Sequence, residues 1–215
     1  MKGLYARYVK RFFDITLSLI LIFFLWPFFI ILAVVIKLDS NGPVLYRQKR
    51  VKQGKATFSM VKFRTMRVDA PKDTPTHLLT NPEKYISKTQ QLIRKLSLDE
   101  TVQIFHCLGG SMSFVGPRPA LWNQDDLIDE RDKYGANDIK PGITGWAQIN
   151  GRDELPIDVK ARLDGEYTKN LTFWMDCKCI FGTLKNVLSS KGVVEGGTGA
   201  LEKRHIDAAD TGDEA

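Results

Sequence analysis

The sequence predicts an α+β fold, mostly helical: an N-terminal membrane-embedded helix followed by one compact domain that carries a small β element. Three observations predict it. Ile15–Ile36 is a run of 22 residues without a charge. Val44–Tyr46 and Thr57–Phe63 are short, rich in β-branched and aromatic residues, and separated by a basic turn around Gly54. Five later stretches, 84–95, 98–108, 119–134, 156–168 and 173–189, read as helices. A chain of 215 residues with 43% apolar content suits one domain with attachments and can fill a core. The boundaries follow: a membrane segment over 1–38, a globular domain over 39–191, and a loose tail over 192–215 that is Gly-rich and then acidic.

The apolar run, as a helix, is roughly 33 Å long, enough for a bilayer core. It is too long for a signal-peptide core and no small-residue cleavage site follows, so it is expected to stay on the protein. Lys2, Arg7, Lys10 and Arg11 precede it; Lys37, Arg47, Lys49 and Arg50 follow it. Positive residues favour the cytosolic side, and here both flanks are positive. Pro27, near the middle, removes a backbone donor and clashes with the carbonyl of Phe23. A helix folded back to one membrane face and an ordinary crossing with a tolerated proline both remain open on these features.

The formal charge of +6 is unevenly spread. Residues 1–68 hold 13 Lys/Arg against Asp14 and Asp39, a net of +11, which leaves −5 on the rest. Positive charge clustered at an apolar segment points to anionic lipid. No nucleic-acid motif accompanies it, so nucleic acid is not an expected partner. Cys107, Cys177 and Cys179 are odd in number and form no CxxC pair, as in a reducing compartment. His77, His106 and His205 are far apart and propose no zinc site.

Ser97-Leu98-Asp99-Glu100 opens a predicted helix, with Ser97 and Glu100 spaced as a capping box. An ordinary helix start is one reading. The other is chemical: a helix N-terminus favours anions, Asp99 is a carboxylate able to attack phosphorus, and Glu100 beside it could hold Mg²⁺. Arg94 lies one short turn earlier. Lys62 and Arg64, two apart on a predicted strand, share a face. Arg118 stands between Pro117 and Pro119 on a stiff backbone, and a stiff guanidinium fork suits a pyrophosphate. In Lys140–Arg152, turn residues crowd one short strand, and Asn150-Gly151 signals a tight turn that would present Arg152 and Gln148.

Together these stretches resemble the bacterial polyprenyl-phosphate phosphoglycosyl transferases, in their small monotopic form. The resemblance rests on Lys62-Phe63-Arg64-Thr65-Met66, Leu98-Asp99-Glu100, Met112–Pro119, Lys140–Arg152 and Asp164-Gly165-Glu166-Tyr167, in the family's order over residues 5–190. It implies a re-entrant helix broken near Trp26-Pro27, interfacial amphipathic helices with Leu171–Leu188 as a candidate, and a site on the cytosolic face of the inner cell membrane. It implies Asp99 as the nucleophile toward the β-phosphate of a UDP-sugar and Glu100 as the Mg²⁺ holder. Lys62, Arg94 and Arg118 would be phosphate partners, with Arg64 in the same substrate-binding set, and Gln148 and Arg152 nearer the nucleotide. UDP-sugar, polyprenyl phosphate and membrane lipid are the implied partners, with a second copy of the chain and pathway glycosyltransferases as further candidates.

The chain departs from the family pattern at Thr101-Val102, Gly109 and Ser111, and His106 stands where Asn is usual, with a structural contact its expected role. Two rival readings remain. One is a metal-dependent glycosyltransferase using Asp125-Asp126; the other is a membrane-bound partner without catalysis.

Overall fold

The computed structural model describes residues 3–70, 84–151 and 155–188. A π-helical turn, Tyr5–Val9, runs directly into α1 (Lys10–Asp39), a 30-residue helix with Pro27 inside it. Only Asp14, Ser18, Leu32 and Ile36 of α1 are buried. Phe23, Phe24, Trp26, Ile30 and Ile31 are exposed. This helix is long and apolar enough to cross a membrane, and its bare apolar surface is what a lipid-embedded segment presents.

Both ends of α1 are fastened to the same domain. At its start, Lys10 pairs with Asp176 at 2.5 Å. Arg11 donates to the carbonyls of Cys107 and Leu108, satisfying groups that the end of a short helix leaves free. Asp14 accepts from Ser113 Oγ and Phe114 N. At its other end Leu32 and Ile36 pack with Phe63 and Ile93, and Asp39 accepts from Ser87 Oγ at 2.8 Å.

β1 (Leu45–Val51) and β2 (Thr57–Phe63) form an antiparallel hairpin in which Leu45 faces Phe63 and Val51 faces Thr57. Gly54 and Lys55 take positive φ at its turn. β1 is longer than the Val44–Tyr46 expected, because Arg47, Lys49 and Arg50 sit within it and break the apolar pattern. α2 (Lys88–Lys95) begins with a capping box at Ser87 and Gln90. A 3₁₀ turn, Leu98–Gln103, leads into α3 (Ile104–Gly109). The expected capping box at Ser97 is corrected: Ser97 has φ 54°, and its side chain makes no cap bond. An N-cap needs extended backbone, whereas Ser97 must turn the chain sharply between two abutting helices.

β3 (Ser113–Val115) and β4 (Gly142–Thr144) pair in parallel, Ser113 with Gly142 and Val115 with Thr144. The glycines here serve close approach. A Cβ on Gly142 would lie 2.1 Å from Gly116 N, and one on Gly145 would lie 2.1 Å from Gly116 O. Asn150-Gly151 ends a one-turn helix, α5 (Trp146–Ile149), and so is not a hairpin turn. α4 (Asp125–Asp132) and α6 (Ile157–Lys169) are joined by the buried pair Arg131–Asp164 at 2.6 Å. Breaking such a pair by removing one partner costs about 3–5 kcal/mol.

α7 (Phe173–Leu188) has two apolar faces. Met175 and Cys179 join Val115, Ile139 and Tyr167 in the core, while Phe173, Trp174, Ile180, Phe181 and Leu184 are exposed. Asp176 anchors the helix, accepting from Tyr5, Lys10 and Tyr167.

Candidate functional site

Asp99 lies in the first turn of the 3₁₀ segment and is only 7% exposed. The cations about it come from three separate places. Lys62 rises from β2, Arg94 from the last turn of α2, and Arg118 from the loop after β3. Burial and the neighbouring Glu100 charge push the Asp99 carboxyl up to about 6, while Lys62, Arg94 and Arg118 pull it back. Lys62 shows the mirror effect. Burial brings its ammonium down to about 8, with Asp99 opposing the drop and Arg94 and Arg50 adding to it. A carboxylate and an amine both displaced toward neutrality make this cluster a candidate site.

Glu100 is held by Arg118, Oε1 to Nη2 at 2.7 Å and Oε2 to Nη1 at 3.3 Å. That two-point contact uses the planar fork of arginine. The stiff Gly116-Pro117-Arg118-Pro119 loop is braced by Gly116 N to Thr144 O and Gly142 N to Pro117 O. The crowded glycines of β3 and β4 therefore serve to place Arg118.

Two cavities adjoin this cluster, one at Lys62 and Arg94 and the other at Glu100. The first, of about 340 Å³, has Tyr46, Arg47, Lys62, Arg64, Arg67 and Arg94 in its lining, so it is strongly basic. The other, of about 230 Å³, lies between Leu21 and Leu25 of α1 and Glu100, Phe114, Gln148 and Thr183.

Lys62, Arg94 and Arg118, expected as phosphate partners, all lie close enough to act on the Asp99 charge. Arg64 also lines the basic cavity, with its Nε buried and without a hydrogen-bond partner. It is 4% exposed and donates Nη1 to Asn41 O and Nη2 to Ser40 O, clamping the end of α1. Gln148 stands on the α1 side: Nε2 donates to Ile143 O, and Oε1 is buried without a hydrogen-bond partner. Arg152 lies outside the described residues. Arg50 was missed. It reaches Pro119 O from β1 at 2.8 Å, also bonds Gln48, and adds positive charge near Lys62. Its only signal in sequence was membership of a basic run.

His106 makes structural contacts. Nε2 accepts from Val61 N at 3.0 Å, so the proton sits on Nδ1, which meets Ser111 Oγ at 3.1 Å. Asp125 and Asp126 are exposed on α4. Among the described residues no three His, Cys, Asp or Glu side chains converge. A closed protein cage for a metal is therefore not formed by these residues. Mg²⁺ commonly rests on one or two carboxylates plus substrate phosphate and water. Glu100, a carboxylate next to Asp99, is chemically suited to that role.

The model of the bacterial sugar transferase family matches residues 5–190. The chain belongs to the bacterial sugar transferase family. This sugar transferase is 38% identical over 185 residues to the uncharacterized sugar transferase EpsL of Bacillus subtilis strain 168, covering 86% of this chain and 90% of that protein. It is also 38% identical to the UDP-glucose:undecaprenyl-phosphate glucose-1-phosphate transferase of Xanthomonas campestris pv. campestris, over 83% of this chain but 38% of that longer protein. With the exopolysaccharide production protein ExoY of Sinorhizobium fredii it shares 28% identity over 85% of this chain and 87% of the relative. The chain therefore spans well under half of the Xanthomonas relative and nearly all of the other two.

Proposed function

We propose that this sugar transferase moves a sugar-1-phosphate from a UDP-sugar to polyprenyl phosphate, through a phosphosugar carried covalently on Asp99. The observation that carries the proposal is buried Asp99 beside half-buried Glu100, with Lys62, Arg94 and Arg118 around them. In the first step a carboxylate oxygen of Asp99 forms a bond to the β-phosphorus. The bond from that phosphorus to the bridging oxygen breaks, and UMP leaves with the electron pair. In the second step a phosphate oxygen of the lipid attacks the same phosphorus. The bond to Asp99 breaks, the carboxylate is restored, and polyprenyl-diphosphosugar departs to begin a lipid-linked glycan for capsule, exopolysaccharide or glycoprotein assembly.

The two cavities support two approaches. The basic one suits a diphosphate, and its cations offset charge developing on the phosphoryl oxygens. The other opens against α1 and is walled by Leu21 and Leu25, which suits a lipid-borne phosphate. Mg²⁺, resting on Glu100, would neutralise the donor's diphosphate. Arg118 holds that carboxylate in place.

The same reading has α1 enter the bilayer and return to one face, the cytosolic face of the inner membrane. A straight 30-residue helix is about 45 Å long. In a simple crossing its ends would stand on opposite sides, yet Lys10, Arg11 and Asp14 at one end and Ile36 and Asp39 at the other join one domain. Positive flanks and Pro27 agree with that path. The exposed aromatic face of α7 would lie in the interface beside it.

Nucleotide release tests the proposal. Protein in lipid nanodiscs, given a panel of UDP-sugars, polyprenyl phosphate and Mg²⁺, should release UMP with its cognate donor. Release of UDP would instead establish glycosyl transfer that leaves the phosphate behind.

A further inference from the structure

A third cavity lies away from the carboxylate pair. Its volume is about 600 Å³, and Arg7, Lys10 and Arg11 at the start of the membrane helix meet Lys140 from the loop before β4 there. Ser113 and Val115 of β3 line it, whereas Phe114 between them lines the cavity of Glu100. Strand alternation thus puts this cavity on the opposite side of β3 from the reaction site.

Its charges are unbalanced. Four cations line it against the one carboxylate of Asp14. Asp14 is engaged by Ser113 and Phe114, Lys10 by Asp176, and Arg11 by two backbone carbonyls. The side chains of Arg7 and Lys140 make no hydrogen bond or ion pair among the described residues; Arg7 lies only over the Tyr8 ring, 5.7 Å from its centre. Burial and the Arg11 charge hold the Lys140 ammonium below its usual value, with Asp14 opposing them. An anion seated here would relieve that excess. Beside the cavity, Tyr5, Phe13, Phe173 and Trp174 form a chain of ring contacts at 5.7–6.4 Å. Such aromatics favour the membrane interface, the depth at which lipid phosphates lie.

We propose that this cavity is a phosphate site separate from the reaction site, and that it takes the headgroup of an anionic membrane lipid, gripped by Arg7 and Lys140. The lipid would pin the start of α1 and the β3–β4 pair at headgroup level. The inference stands on this cavity's own residues and does not need the proposed chemistry.

Native mass spectrometry of the full chain in detergent micelles tests it, with phosphatidylglycerol, phosphatidylcholine and inorganic phosphate as probes. One phosphatidylglycerol should bind in preference to phosphatidylcholine. Arg7→Ala and Lys140→Ala should each weaken it at least about fivefold, the worth of one cation near an anionic surface. Lys169→Ala, an exposed cation on α6 outside the cavity, should leave it unchanged. Because Arg7 is exposed, its variant remains informative if Lys140→Ala fails to fold. Equal binding of phosphatidylcholine would overturn the proposal. Equal loss in Lys169→Ala would do the same by revealing diffuse attraction. Full competition by equimolar inorganic phosphate would show a site for the free anion and remove the lipid assignment.

Discussion

Replacing Asp99 by Asn should make the protein more stable at neutral pH while removing its activity. In the folded chain the carboxyl is pushed up to about 6, chiefly by burial and then by Glu100; in an unfolded chain an Asp titrates near about 4. The folded state therefore binds this proton more tightly. The carboxyl favours folding fully below the unfolded value, and that advantage is lost as pH rises through about 6. Two pKa units correspond to about 3 kcal/mol. Lys62 loses its compensating neighbour in the variant, so the net gain is smaller, about 1–2 kcal/mol. For a chain of this length that is roughly 2–8 °C in Tm. Thermal unfolding in detergent micelles at pH 7.5 and pH 4 measures it. The gain should be present at pH 7.5 and nearly absent at pH 4, where the folded wild-type carboxyl is already neutral. A variant no more stable than wild type at pH 7.5, or equally stabilised at both pH values, would refute the claim that Asp99 is held charged against its surroundings.

The rate of UMP release should describe a bell against pH, rising through about 6 as Asp99 ionises and falling above about 8 as Lys62 loses its proton; Lys62→Met should lose the alkaline limb. Gly145→Ala would press a Cβ to 2.1 Å from Gly116 O, and the strain should cost about 1–3 kcal/mol, read as a fall in Tm. Arg64→Ala should lower Tm, because its guanidinium holds Ser40 O and Asn41 O at the end of α1, and should raise the donor KM, because Arg64 lines the basic cavity. An unchanged Tm would contradict the bracing role, and an unchanged KM would remove Arg64 from the substrate-binding set.

Local signals were legible in the sequence where one element decides the outcome. Thr57–Phe63 reads as a strand and is one. The helices after residue 155 match because their apolar spacing is regular. Asp99 and Glu100 stand out because adjacent acidic residues begin a helical segment, and the family resemblance singles them out. Non-local facts were hidden. The three-residue strands β3 and β4 gain meaning only from each other, so the glycines around them looked like simple turns. Ser97 had the right spacing for a cap, but the tight link to α2 imposed another backbone conformation, while the true capping box at Ser87 went unread. Arg64 and Lys62 share a strand face in sequence, yet the nearby end of α1 takes up Arg64. No pattern along the chain shows which carbonyl a long side chain will reach, and Arg50 escaped notice for the same reason.

The account's central claim is the bond between Asp99 and the donor's phosphosugar. Intact-protein mass spectrometry after incubation with the cognate UDP-sugar and Mg²⁺, without lipid acceptor, tests it most directly. The account predicts a mass increase of one sugar phosphate, mapped by peptide analysis to Asp99, discharged by added polyprenyl phosphate and missing in Asp99→Asn. UMP release without any adduct, or an adduct on another residue, would contradict it.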